Sequence, residues 1–305
     1  MAKVAHGIAD DLLSTSILAT EAPVVFCPAM NVKMWKNLAT QDNVKRLKEL
    51  GYYFVEPEYG DLACGYQGVG RLASPLPIIE AITTILSARN QLKGKKVLVT
   101  AGATAEPIDQ VRSIINKASG KMGAAIADRA SLMGADVVLI KGVNAVDPQR
   151  FMKEISVETG EEMKTTIETE IEDAHFVFHT AAVSDFGTDN PIEGKVSSHQ
   201  PLRLELSPRL KILKVLKSLN PKATIIGFKA EYNVSEAKLI DSAYATLQES
   251  RADLIVANDV GKKDRGFGTD TNEVYIVDKA KRVKHLPLAT KQEIARRILE
   301  FIVQT

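Results

Sequence analysis

Chemistry is most concentrated in residues 100–123, TAGATAEPIDQVRSIINKASGKMG, which join an apolar run to a helix-like stretch. In open α/β sheets ligands bind beyond the carboxyl ends of strands, and a helix start offers free backbone N–H groups to a phosphate. Gly102 at the strand end, with Ser119 and Gly120 at the helix start, are therefore candidate nucleotide-binding residues, and Lys121 adds a point charge. Neither G-x-G-x-x-G nor G-x-x-x-x-G-K-[ST] occurs, which argues against a nicotinamide oxidoreductase and against a Walker A loop. The same glycines also fit a turn required only for close helix–strand packing. About 17 residues separate Gly102 from the helix start, where most such connections take about 2 to 6, and long connections at this edge carry function. Arg112 and Asn116 stand four apart, so on one helical turn they would share a face and meet one anionic ligand. A solvated arginine and a capping asparagine fit that spacing equally well.

A second cluster is HTAAVSDF, residues 179–186. Ala181 and Ala182 at a strand end let a flat base approach the backbone, and Asp185 is placed to accept from ribose hydroxyls or, alternatively, to cap a helix. Lys195, in a Gly/Pro/Asp-rich stretch ten residues on, is either a lid over a triphosphate or a solvated lysine. His175 and His179 have the spacing of a helical metal pair, but on a strand they would lie about 13 Å apart, too far for one ion. Cys64, in ACGYQGVGR, is a candidate reactive thiol, while Cys27 in an apolar strand reads as core.

These groups need a frame. The 305 residues carry 39 Lys+Arg against 38 Asp+Glu, so no global field draws the chain to nucleic acid or anionic lipid, and an anionic ligand must be held locally. Two cysteines exclude a disulfide framework, and no apolar run spans a membrane or forms a leader, so a cytoplasmic setting is expected. Residues 4–19, 34–50 and 78–88 read as helices, residues 23–29 and 53–55 as short strands, and residues after 55 as a glycine-rich loop. Residues 90–96, polar and glycine-containing, mark the boundary between a domain over 1–92 and one over 93–305. Beyond it strand patterns at 96–102, 135–142, 176–182, 223–228, 253–259 and 273–278 alternate with helices, including one over 119–133 and a last one with Thr290 and Glu293 at capping-box spacing. That pattern predicts a Rossmann-like α/β domain with a mainly parallel sheet. The first 90 residues supply at most two short strands, a marginal core for an independent domain.

Taken in order, AKVAHGIADDLLST, PAMNVKMW and ACGYQGVGR, then AGATAEPIDQVRSIINKASGKMG, AAVSDF, FKAEY, ANDV and FGTDTNEV, resemble the coenzyme A biosynthesis family in which phosphopantothenoylcysteine decarboxylase is fused to phosphopantothenate–cysteine ligase. The resemblance covers essentially the whole chain. It implies a partial flavoprotein (cysteine decarboxylase-like) α/β segment followed by the ligase domain, whose substrates are 4′-phosphopantothenate, cysteine and CTP with Mg²⁺. By resemblance Asn116 holds the acyl-cytidylate, Lys195 stabilises phosphoryl charge, Asp185 with Ala181 and Ala182 holds the nucleoside, and Phe228 and Pro208 lie against the nucleotide. Arg112 falls with the substrate-binding residues, Asn31 matches the asparagine that binds the cysteine carboxylate, and Cys64 matches the cysteine that reprotonates the enethiolate.

The family's opening strand, phosphate loop and histidine have no match here. The resemblance therefore implies an N-terminally truncated decarboxylase half, with FMN bound only if that domain is completed. The lysine strap reads KVSS and the phosphate loop SPRLKIL, leaving Lys195, Pro208 and Lys211 in those motifs. A homo-oligomer is implied, a dimer through the ligase domain with trimer contacts through the flavoprotein segment. No nucleic-acid or membrane partner is expected. The alternative is a non-enzymatic flavin-binding or regulatory subunit.

Overall fold

The computed structural model describes residues 1–62, 65, 67–88, 91–197, 202–266 and 268–304. The chain divides into two compact units, Met1–Asn90 and Gln91–Thr305.

The first unit contains α1 (Ala2–Ala5), α2 (Leu12–Ala19), β1 (Val25–Phe26), α3 (Val32–Trp35), α4 (Leu38–Glu49), β2 (Tyr53–Phe54), β3 (Glu58–Asp61), β4 (Gln67–Arg71) and α5 (Pro75–Ala88). The single helix expected over 4–19 is two helices. Gly7 turns left-handed at φ 68°, and the Asp11 carboxylate caps α2 by accepting the Ser14 N–H at 2.8 Å. The helix expected over 34–50 divides at Asn37, whose Oδ1 accepts the Ala39 N–H at 3.0 Å. The expected loop after residue 55 is an antiparallel hairpin, β3 on β4. Among the described residues of this unit only β1 and β2 pair in parallel, over two residues each. The core here is thin: Val4, Ala5 and Leu47 are buried, with Phe26 stacked on Phe54 at 5.2 Å between ring centroids.

The second unit runs β5 (Lys96–Ala101), β6 (Ala105–Pro107), β7 (Ser113–Ile115), α6 (Lys121–Leu132), β8 (Asp136–Lys141), β9 (Lys153–Ser156), α7 (Gly160–Glu170), β10 (Phe176–His179), β11 (Phe186–Gly187) and β12 (Ser207–Pro208). It continues through α8 (Leu213–Leu219), β13 (Thr224–Glu231), α9 (Glu236–Ser250), β14 (Leu254–Asp259), β15 (Thr271–Asp278), β16 (Val283–Thr290) and α10 (Lys291–Gln304). One eight-stranded sheet has the order β16-β15-β14-β13-β10-β5-β8-β9. The strands from β14 to β9 are parallel, and β15 and β16 are antiparallel. This is the mainly parallel α/β architecture that the strand pattern predicts.

Alternation along each strand divides the core into two layers. Val97, Val99 and Ala101 of β5 pack with α6 and α10, whereas Leu98 packs with Met163 and Ile167 of α7 and the inner faces of α8 and α9. Both faces are covered, so the central strands read as near-continuous apolar runs. Strands β9 and β16 are additions to the sequence expectation. Both are edge strands, and in β16 only Leu286 is buried, so neither carries an apolar signature; Pro287 is tolerated there because one side of an edge strand needs no partner. At α10, Thr290 Oγ1 accepts the Glu293 N–H at 3.2 Å, but the Glu293 carboxylate pairs with Arg296 and Arg297 instead of returning to the cap. Among the described residues no helix is long and apolar enough to cross a membrane.

Candidate functional site

Strands β8 and β9 build outward from β5 in one direction, and β10, β13 and β14 in the other, so the strand order reverses between β5 and β10. A crevice at such a reversal is where open α/β sheets bind ligands. A cavity of about 540 Å³ opens at this edge, lined by Gly102 after β5, Thr180 to Asp185 after β10, and Phe228 of β13. That volume suits a small molecule.

Helix α6 begins on the cavity wall. Its N-cap, Gly120, is left-handed at φ 70° and has no side chain, so no capping group occupies the first-turn N–H donors. A Cβ at Gly120 would lie 2.9 Å from Ala145 Cα, and one at Gly123 would lie 2.5 Å from Thr180 Oγ1 and 2.6 Å from Ala101 Cβ. The two readings of this glycine run therefore hold together: it seats the helix on the sheet and leaves an open helix start beside the cavity. Ser119 and Lys121 complete this part of the wall.

The long connection between β5 and α6 does not make the helical turn that would align Arg112 with Asn116. It forms the antiparallel hairpin β6–β7, because Asp109 Oδ1 accepts the N–H groups of Val111 and Arg112 at 2.8 and 2.7 Å and closes a turn. Asn116 emerges from the hairpin onto the cavity wall, its Nδ2 donating to the carbonyls of Ala182 at 3.1 Å and Val183 at 3.4 Å. Arg112 instead donates from Nη2 to the Val196 carbonyl at 2.9 Å. Of the sequence candidates in this unit, Arg112, Lys195 and Pro208 stand outside the cavity wall.

The turn nevertheless carries the Lys195 segment. Asp109 Oδ2 accepts the Val196 N–H at 3.1 Å, the Gln110 N–H donates to the Gly194 carbonyl at 3.3 Å, and the Ile192 N–H donates to the Ile108 carbonyl at 2.9 Å. The backbone N–H groups of Val196 and Val111 hold the Asp109 carboxyl below the usual range. Lys195 itself is exposed. On the opposite rim Asp185 is followed by β11 and so caps no helix. Its carbonyl accepts the Arg209 N–H at 2.8 Å, and Phe186 pairs with Pro208. This short ladder brings Leu210 and Lys211, rather than Pro208, onto the wall. The N–H of Ala181 donates to Thr100 Oγ1 at 3.2 Å and that of Ala182 to the Gly102 carbonyl at 2.8 Å. These alanines consequently offer a small flat surface and not amide donors.

Two lysines draw the segment after β14 against the cavity. Lys121 Nζ reaches Asp270 Oδ1 at 2.7 Å and the Gly268 carbonyl at 2.9 Å, which holds the Asp270 carboxyl low. Lys291, buried at the start of α10, donates to the carbonyls of Thr269 at 2.6 Å and Gly266 at 3.1 Å. Burial first, and then the neighbouring Lys121 ammonium, push its pKa down to about 8. Sequence reading passed over Lys291, although a cation in the first turn of a helix opposes the macrodipole and is a signal of its own. The cavity is lined by Lys121, Lys211, Lys229 and Lys291 against Asp185 and Glu231, a local positive excess in a chain of formal charge +1. Such an excess suits a polyanion. Among the described residues no group of three His, Cys, Asp or Glu side chains could hold a metal ion. The two histidines part company: His175 Nδ1 accepts the Lys96 N–H at 3.2 Å, and His179 Nδ1 meets Thr100 Oγ1 at 2.9 Å.

In the first unit Asn31 caps α3, its Oδ1 accepting the Lys33 N–H at 2.8 Å. Cys64 lies outside the described residues, and Cys27 is half-buried just after β1. Asp11, Asn31 and Asn37 close the N-termini of α2, α3 and α4 with their own side chains. Those helix starts therefore do not fit a flavin phosphate.

Residues 92–305 match the family described as DNA/pantothenate metabolism flavoprotein C-terminal domain, and residues 1–87 match the family described as Flavoprotein. The chain is 39% identical over 307 residues to the coenzyme A biosynthesis bifunctional protein CoaBC of Thermococcus kodakarensis, an alignment covering 99% of this chain and 73% of that protein. It is 39% identical to the protein of the same name from Bacillus subtilis, covering 98% of this chain and 74% of the other. A crystal structure of the C-terminal domain of a coenzyme A biosynthesis bifunctional protein CoaBC superposes with a TM-score of 0.58 and 36% identity, over 70% of this chain and 97% of that one.

Proposed function

Because the chain belongs to the family of bifunctional coenzyme A biosynthesis proteins, we propose that the cavity of its second unit is where 4′-phosphopantothenate is joined to cysteine. The protein is an enzyme of coenzyme A biosynthesis with phosphopantothenate–cysteine ligase activity and a decarboxylase-like segment in its first unit. The observation that carries the site assignment is the convergence, at the strand-order reversal, of an uncapped helix start, Asn116, Asp185 and four lysines.

A carboxylate is a poor electrophile, so ligation requires activation. A pantothenate carboxylate oxygen attacks the α-phosphorus of CTP, forming the acyl-cytidylate, and pyrophosphate leaves. The cysteine amine then attacks the acyl carbon, the amide bond forms, the amine loses a proton, and CMP departs. The open N–H groups of α6 and the cavity lysines hold anionic oxygens through both steps. Asn116 spends its Nδ2 on two carbonyls, which leaves Oδ1 as the acceptor for the amide or amine N–H. Asp185 accepts from the ribose hydroxyls, beside the flat surface of Ala181 and Ala182 and with Phe228 on the neighbouring strand. Lys195, carried on the Asp109 turn, supplies a mobile charge to the phosphoryl group, and Arg112 anchors that turn's partner at Val196. Pro208 shapes the approach of Lys211.

Mg²⁺ would be held mainly by the triphosphate oxygens and would neutralise their charge. Asn31 and Cys64 are the proposed decarboxylase residues of the first unit, where the starts of α2, α3 and α4, closed by their own side chains, do not fit a flavin phosphate. A cytoplasmic, homo-oligomeric enzyme is the setting we favour. The exposed apolar side chains of α2 and α5, among them Leu12, Leu13 and Leu76, suit contacts with another copy. The decisive assay supplies phosphopantothenate, cysteine and CTP with Mg²⁺: CMP and pyrophosphate should form only when phosphopantothenate is present. Absence of turnover with CTP and with every other nucleoside triphosphate overturns the proposal.

A further inference from the structure

His179 ends β10, and the residue is 8% exposed. Val177, two residues earlier, packs in the α7–α9 layer, so His179 projects to that same side of the sheet. Its Nδ1 lies 2.9 Å from Thr100 Oγ1, its register partner on β5. Thr100 Oγ1 already accepts the Ala181 N–H, and among the described residues its hydroxyl has no other acceptor. Thr100 Oγ1 and Nδ1 share one hydrogen, and with the hydroxyl as its donor the ring's own hydrogen sits on Nε2. Among the described residues nothing pairs with Nε2, and the ring lines the cavity. Among the described residues Nε2 is not one of the fully buried side-chain atoms left without a partner, so it is open to the cavity, where the acceptor atom of a ligand can reach it.

The surroundings favour an uncharged atom. With no carboxylate against the ring, burial pushes its pKa down to about 4, and the imidazole is a neutral donor at physiological pH. Its other register partner, Gly227, has no side chain, and the methyl groups of Leu213 close to within 2.7 Å of where a Cβ would be. This gives an apolar, flat-sided environment. The uncapped start of α6 lies across the sheet, where Gly123 packs on Thr180 and Ala101. Lys211, and Lys229 two residues beyond Gly227 on the same face of β13, are cations on the His179 side, so a phosphate oxygen is the competing partner.

We propose that His179 reads the nucleobase of the co-substrate by donating its Nε2–H to the pyrimidine ring carbonyl, an assignment that rests on the nucleotide reading of the cavity given above.

Calorimetric titration of the full chain with CTP and with inorganic tripolyphosphate tests it. His179→Phe keeps a flat ring without the donor, and His179→Gln keeps a donor near the Nε2 position. We expect His179→Phe to weaken CTP binding about tenfold, the worth of one neutral hydrogen bond. Tripolyphosphate binding should be unchanged, and His179→Gln should recover most of the CTP affinity. In the ¹⁵N-labelled wild-type chain, CTP should shift the Nε2 resonance and tripolyphosphate should not, a readout that requires no variant to fold. The assignment is overturned if His179→Phe binds CTP like the wild type, if tripolyphosphate affinity falls in parallel, or if Nε2 responds to tripolyphosphate. A wild-type chain that binds no CTP and forms no CMP overturns the nucleotide reading itself, and this inference with it.

Discussion

Residues at the cavity titrate away from their ordinary values for reasons that each leave a signature. The Lys291 ammonium is buried and faces Lys121, so the folded state surrenders its proton near pH 8, whereas the unfolded chain keeps it to about pH 10.4. Between those values the unfolded state binds more protons, and stability attributable to Lys291 rises with pH. Lys291→Met should abolish that rise; urea unfolding at pH 8 and pH 10 checks it. His179 is also depressed, to about 4 from 6.5, so its contribution is intact above pH 6.5 and drains as pH falls toward 4. The loss amounts to roughly 3 kcal/mol at 1.36 kcal/mol per pH unit. Urea midpoints at pH 7 and pH 4.5 should separate more in the wild type than in His179→Gln. Glycine at 123 is a steric requirement: a methyl group there meets Thr180 Oγ1 at 2.5 Å. Gly123→Ala should destabilise the chain by about 1–3 kcal/mol despite the better helix propensity of alanine, read by thermal or urea unfolding.

At the scale of elements, the hairpin β6–β7 is a scaffold for its neighbours. One carboxylate, Asp109, accepts N–H groups from its own turn and from Val196, and so ties the Lys195 segment to the sheet. Asp109→Asn loses the charge and half the acceptor capacity, so the 192–197 segment should become more sensitive to limited proteolysis. Ligase kcat should fall by roughly ten- to a hundredfold, the effect of misplacing a catalytic group. Acid should act similarly: the carboxyl is held low, so docking persists above the ordinary carboxylate range and is lost only as pH falls through the depressed value. The start of α10 works in the same manner from the other side. Lys291 and Lys121 hold the carbonyls of Gly266, Gly268 and Thr269 and the carboxylate of Asp270, making a helix start and a sheet-end loop one unit.

For the whole molecule, the two units differ in the completeness of their cores. The second buries both faces of an eight-stranded sheet under helices, while the first rests on Val4, Ala5 and Leu47 with a few aromatic neighbours. A fragment spanning residues 91–305 should therefore unfold cooperatively by calorimetry and keep ligase turnover. Failure of that fragment to fold would show that residues 1–90 contribute to the ligase core.

The sequence alone carried the architecture wherever local physics was enough. Continuous apolar runs such as KVLVTAG and ADVVLIKG become strands because both faces of a parallel sheet are buried, and β5, β8, β10, β13, β14 and β15 lie where those runs do. The same is true of the helix start at SGKMG and of the cap at Thr290. Edge strands β9 and β16 escaped because one exposed side removes the apolar pattern, and the helices of the first unit split at Gly7 and Asn37, where a backbone twist and a cap outweigh periodicity. Within the site, glycine spacing and the run HTAAVSDF pointed to the sheet edge where the cavity opens. Which side chains meet there was settled by contacts between residues far apart in the chain. Asp109 bends the long connection into a hairpin and sends Arg112 to Val196, Lys291 arrives from the C-terminal helix, and Thr100, 79 residues from His179, meets its Nδ1. Periodicity encodes what a segment buries, and only the folded chain decides which distant polar atoms satisfy one another.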